Sequence, residues 1–212
     1  MSDKTLMALI KELKSPIFTT AQIKTVSGKS LSTVSQGLSF LAGQNLISKV
    51  YHGIWKDNSC EISPYSLIPY LLPRQRAYVS FITALHLYGI IEQIPQNITV
   101  ASVAHTKNIK TSIGNFLIHQ IEPSFFTGFV WSKNNDFLIA EPEKALADCI
   151  YLSGYKKNQF LYLPEMHFSR KFSFKRTEEY LKKINNSRLR VYAIEQLNKF
   201  KISKKNNIKQ SE

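Results

Sequence analysis

Residues Thr19–Lys56, TTAQIKTVSGKSLSTVSQGLSFLAGQNLISKVYHGIWK, decide the fold. Thr19 or Thr20 can cap a short helix reaching about Val26, and Ser27-Gly28 supplies a tight turn. Ser30 stands at the N-cap of a second helix, where its hydroxyl can accept from the free backbone N–H groups of the first turn. At about 100° per residue, Val34, Leu38 and Leu41 share one side of that helix, while Ser32, Gln36 and Ser39 share the other. One face packs and the other is offered. A helix start rich in hydroxyl and amide side chains, with Lys29 just before it, suits phosphate contact by the backbone and base-edge contact in a major groove. For an isolated amphipathic helix, a merely solvated polar face explains the same pattern.

The stretch after the helix separates the two readings. From Ile47 the pattern ISKVY-HG-IWK gives two β-prone runs around a His-Gly pair suited to a two-residue hairpin turn. A turn at His52-Gly53 would set Tyr51 opposite Ile54, Val50 opposite Trp55 and Lys49 opposite Lys56. Facing lysines are unfavourable unless an anion lies nearby, and a phosphate backbone would supply one. The plain alternative is two lysines splayed into water at well under ~1 kcal/mol. Helix, turn, helix and basic hairpin together read as a winged helix-turn-helix. The DNA-contacting set is then Lys29, Ser30, Ser32, Thr33 and Gln36, with Lys49, His52 and Lys56 on the flanking backbone.

Outward from this head, Leu6, Leu9, Ile10 and Leu13 mark one face of a helix within Lys4–Lys14, stopped by Pro16, and Ile17-Phe18 can add a strand beside the hairpin. The connector EISPYSLIPYLLP, with three prolines among apolar residues, places a domain boundary near residue 65. Beyond it, YVSFITALHLY predicts one buried helix over Tyr78–Tyr88 ending at Gly89, and its lone His86 has no partner at ligand spacing. Runs at Ile98–Val103, Ile113–Ile121, Phe126–Trp131 and Phe137–Ala140 predict a small sheet of about four strands between residues 98 and 140. Helices are expected over about 142–152, 175–184 and 187–200, followed by a frayed basic tail. The fold class expected is α+β: a winged helix-turn-helix over residues 1–65 and a mixed α/β domain over 66–212.

The net charge of +13 is uneven: residues 1–56 carry +5, residues 57–155 carry −2 and residues 156–212 carry +10. A basic head and basic end flank a nearly neutral middle, which suits polyanion contact at the ends only. Two cysteines, Cys60 and Cys149, are too few for a disulfide framework or thiolate metal site, so a reducing cytoplasm is expected. No membrane span is expected either, since no uncharged apolar run approaches the ~18 residues needed.

Asp136, Glu141, Glu143, Lys144 and Asp148 resemble the makings of a metal-dependent nuclease, but an acid two residues before the lysine is required and position 142 is proline. Helix-start electrostatics and a Lys144–Asp148 contact worth a few tenths of a kcal/mol, if exposed, explain them more simply. Neither a GxGxxG, a P-loop, a GxSxG nor an HExxH occurs, so no enzyme activity, cofactor or metal is expected.

With SFITALHLYGIIEQIPQNITVAS and EPEKALADCIYLSG following such a head, the chain resembles the AbiEi family of antitoxin-type transcriptional regulators from bacterial abortive-infection (phage-defence) systems, the type IV toxin–antitoxin systems. The resemblance covers nearly the whole chain. It implies an autorepressor that binds inverted repeats in double-stranded DNA, two copies to an operator, and a C-terminal domain that opposes a nucleotidyltransferase toxin. No residue-level antitoxin site comes with it. The competing classes are a ligand-sensing winged-helix repressor, marked by a pocket with convergent polar groups, and a metal-dependent nuclease.

Overall fold

The computed structural model describes residues 4–133, 136–155, 160 and 163–209, with side chains as far as residue 202. The protein is α+β and its chain divides into two compact units, one of residues 1–73 with 110–114, the other of residues 74–109 with 115–212. Among the described residues no helix is long and apolar enough to cross a membrane.

In the first unit, α1 (Leu6–Glu12) is capped by Thr5 and α2 (Thr20–Ser27) by Thr19, whose hydroxyl accepts from the Gln22 N–H while the Gln22 side chain accepts from the Thr19 N–H. This reciprocal box satisfies two orphan donors at once. Gly28, at φ +65°, ends α2 in the left-handed region, where a side chain would be strained. Helix α3 (Leu31–Gly43) follows from its Ser30 cap. Strands β1 (Ile17–Thr19), β2 (Ile47–Tyr51) and β3 (Ile54–Asp57) form an antiparallel sheet in the order β1-β3-β2. Ile10, Phe18, Ile23, Val34, Leu38, Ile47 and Trp55 make the core, with Leu6, Leu13 and Leu41 packed against it. The unit continues past residue 65 to Pro73 because the proline-rich stretch, which includes the short helix α4 (Ile68–Leu71), buries Leu67, Ile68, Leu71 and Leu72.

The hairpin register differs from expectation. Tyr51 does face Ile54, but a bulge then sets Lys49 opposite Trp55 and Ser48 opposite Lys56, so the two lysines are not paired. Val50 is the extra residue. Its carbonyl accepts the Ser112 N–H at 3.1 Å, and the Lys49 carbonyl accepts from the Ser112 hydroxyl, so the bulge satisfies its backbone through residues 110–114. With Lys49 and Lys56 out of register, no facing pair of lysines calls for an anion.

The second unit is built on a six-stranded mixed sheet, not four strands. Its members are β4 (Ala77–Val79), β5 (Ile98–Ser102), β6 (Lys107–Thr111), β7 (Gly114–Gln120), β8 (Phe129–Trp131) and β9 (Leu138–Ala140), in the order β6-β7-β5-β4-β9-β8. The expected helix over Tyr78–Tyr88 is two elements: β4, then α5 (Phe81–Leu87). Tyr78 and Val79 are fully buried between β5 and β9, and a strand buried on both faces reads as the same apolar run as a buried helix. Phe81, at φ +57°, makes the break. Gly89, at φ +68°, follows the end of α5.

Helix α6 (Pro142–Ser153) is buried from Glu143 to Ser153 and packs against α5, α7 (Phe174–Leu181), α8 (Ser187–Lys209) and β9. The last helix runs nine residues beyond its expected end at Phe200, so the expected frayed tail is helical as far as Lys209.

Candidate nucleic-acid interface

The face of α3 away from the core carries Ser32, Thr33, Gln36 and Ser39, all exposed, while Val34 and Leu38 are fully buried. The Ser30 hydroxyl accepts the Thr33 N–H at 3.2 Å and lies 2.8 Å from both the Ser32 and Thr33 hydroxyls. The structure thus gathers Ser30, Ser32 and Thr33 into one hydroxyl cluster over the first turn of α3. Such a cluster can donate to an anion without losing the cap, because the cap uses oxygen lone pairs and leaves rotatable O–H groups. Gln36, one turn on, offers an amide that can both donate and accept, the pattern that reads adenine in a major groove.

The hairpin is fixed to α2 at two points. The Gly53 carbonyl accepts the Thr20 N–H at 2.9 Å, and the Trp55 indole N–H donates to the Thr20 hydroxyl at 2.9 Å. His52 is exposed at the turn, its ring 5.1 Å from that of Tyr51. The Lys49 ammonium lies over the Trp55 ring at 5.8 Å from its centroid, and the side chain stays exposed. Lys56 is half-buried between Ile17 and Ser48 in the sheet register, and Lys29 is half-buried in the turn before α3. Of the eight expected residues, Ser30, Ser32, Thr33, Gln36, Lys49 and His52 are solvent-facing, and Lys29 and Lys56 are less so.

Two exposed residues of α3 escaped the sequence reading. Phe40 is 67 % exposed and Leu31 55 % exposed. The signal for Phe40 was present: seven residues after Thr33, it falls within about 20° of it on the helix. A large apolar side chain beside Gln36 can meet a thymine methyl.

The residues weighed as a nuclease set are engaged separately. Asp136 accepts from Ser132, Glu141 from Arg176 and Tyr180, Glu143 from the Ser173 N–H, and Asp148 from Lys144, Ser80 and Tyr78. Among the described residues no group of three or more His, Cys, Asp or Glu gathers where a metal ion could be held. The ring of His86 meets the Ile91 carbonyl through Nδ1 at 3.1 Å.

Compared with known proteins, the chain matches no family model and no curated sequence.

Proposed function

We propose that the first unit is a winged helix-turn-helix that binds double-stranded DNA, and that the protein is a transcriptional autorepressor and antitoxin opposing a nucleotidyltransferase toxin. The observation that carries the DNA reading is the exposed hydroxyl-and-amide face of α3 behind its Ser30 cap, in a unit that also holds a basic antiparallel hairpin pinned to α2. Lys49 remains exposed for a phosphate, while Lys56 is the weaker candidate because it is half-buried. The antitoxin half of the proposal rests on the AbiEi resemblance of the two C-terminal stretches. No enzyme activity and no cofactor belong to this reading, and the protein would work in the cytoplasm.

Anisotropy titration of the full chain on DNA from upstream of its own gene, and on random DNA, tests it. Gln36→Ala should cost about 1–3 kcal/mol on the operator and much less on random DNA. Lys49→Ala should weaken both alike and lower the salt slope by about one for a lost phosphate contact. An unchanged operator-to-random ratio for Gln36→Ala would remove α3 as the reading helix.

A further inference from the structure

Strand β8 is an end strand of the six-stranded sheet, hydrogen-bonded to β9 alone among the described residues. The bonds at either end of that pair fix which of its backbone groups are used. The Glu141 N–H donates to the Gly128 carbonyl at 2.9 Å and the Ser132 N–H to the Phe137 carbonyl at 2.8 Å, each across directly opposed residues. In an antiparallel ladder such pairs alternate, so Gly128, Val130 and Ser132 turn their backbone groups toward β9, while Phe129 and Trp131 turn theirs outward. An outward row of free N–H and C=O groups is a template for another strand.

This edge is neither charged nor loose. The opposite end strand, β6, carries exposed Lys107 and Lys110, which discourage pairing, whereas β8 has no charged residue and leaves Val130 45 % and Trp131 59 % exposed. Just before β8, Gly128 stands at φ +75°, where a Cβ would come within 2.6 Å of the Tyr180 ring, so the strand's entry is held close to α7. Phe129 stacks on Tyr78 at 4.6 Å between centroids. A strand fixed in this way gives up little freedom when it pairs.

We propose that β8 pairs antiparallel with β8 of a second copy of the chain, about a two-fold axis at Val130. In that register Phe129 of each copy faces Trp131 of the other, and the two exchange both backbone hydrogen bonds because both have outward groups. The Phe129–Trp131 contacts lie on one face of the joined sheet and Val130 meets its own counterpart on the other, so exposed apolar side chains on both faces are covered. The strand is complementary to itself, and that singles out a second copy as its partner. Charge permits the meeting: the chain carries +13, but residues 57–155, in which β8 lies, carry −2. Lys133 falls level with Thr127 of the second copy, so no lysines face each other across the pair. The pairing uses no residue of the α3 face or the hairpin, and the DNA reading stands or falls apart from it.

Sedimentation equilibrium of the full chain tests it. Because β8 is short, the association should be weak, with Kd about 10–100 µM, and the average mass should climb from one chain toward two between about 1 µM and about 200 µM. Val130→Lys and Val130→Glu each set like charges opposite each other at the axis and should stay monomeric at about 200 µM, with an unchanged melting temperature. An equimolar mixture of the two sets opposite charges there and should dimerise again. Trp131→Lys, at an exposed position, should weaken dimerisation about tenfold or more, and decides the matter if the position 130 variants do not fold. A parent chain that stays monomeric at about 200 µM, a folded variant that dimerises as the parent does, or a mixture that stays monomeric overturns the proposal.

Discussion

Asp148 sits at the centre of a buried polar cluster in the second unit. It is fully buried, accepts from the Lys144 ammonium, and takes hydroxyl donations from Ser80 at 2.6 Å and Tyr78 at 3.1 Å. Burial pushes its carboxyl up and the Lys144 ammonium down, each opposed by the other's charge. Lys144 also sits 3.5 Å from the centroid of the Phe125 ring. Removing one member of a buried pair strands the other, at about 3–5 kcal/mol. Asp148→Leu strands an ammonium and two hydroxyls, whereas Lys144→Met leaves a carboxylate that keeps both hydroxyl donors. Urea unfolding should therefore rank Asp148→Leu as the more damaging, with the double variant recovering part of the loss; the reverse order would show that the hydroxyls matter little. An exposed i, i+4 pair would be worth only a few tenths of a kcal/mol, and the spacing announces the pair but not its surroundings. The groups that bury it, Tyr78, Ser80 and Phe125, come from far along the chain.

At the scale of elements, local chemistry was legible and pairing was not. The Thr19 and Ser30 caps, the Gly28 turn, strand β1 and the His52-Gly53 hairpin turn stand where the residues placed them, since each depends on neighbours within a few positions. The hairpin bulge was hidden because its freed carbonyls are taken by Ser112, and β4 was hidden because the sheet buries both its faces. Another contact between elements joins α1 to β3: the Lys11 ammonium meets Asp57 at 2.6 Å, and the Ser59 N–H and hydroxyl donate to the same carboxylate. Burial alone would raise the Asp57 carboxyl, but these partners outweigh it and hold it below its ordinary value. A depressed carboxyl gives stability that is fully present above the unfolded value, about 3.9, and is lost as pH falls through the folded one. Trp55 reports it directly, being 6 % exposed in the core of the same unit, whereas Trp131, the chain's other tryptophan, is 59 % exposed already. On acidification below about pH 4, Trp55 emission should shift to the red, and Lys11→Met should move that transition to higher pH. Coincident acid transitions for the two proteins would show that the pair contributes nothing.

For the whole molecule, two compact units with different charge permit two separable activities, and the proposed division assigns operator binding to the first and opposition to the toxin to the second. The charge asymmetry was legible as a count along the chain. The unit boundary was legible only approximately, because residues 66–73 join the first core through Leu67, Ile68, Leu71 and Leu72, and residues 110–114 join it through Ser112. That composition bears on how the division is tested. A fragment ending at Pro73 would lose Ser112, leaving the Val50 carbonyl without its donor, so poor DNA binding by such a fragment would be ambiguous. Point variants of the full chain avoid this. The double variant Gln36→Ala/Lys49→Ala changes two exposed side chains and should leave the fold within about 0.5 kcal/mol per site. In a growth-rescue assay with the partner toxin it should protect cells as well as the parent chain, while in anisotropy titrations it should lose operator binding. A fragment beginning at Arg74, which contains every residue of the second unit, should also rescue and should not bind the operator. Loss of rescue in the double variant at normal protein level, or operator binding by the Arg74 fragment, would show that the two activities share one surface and would overturn the division.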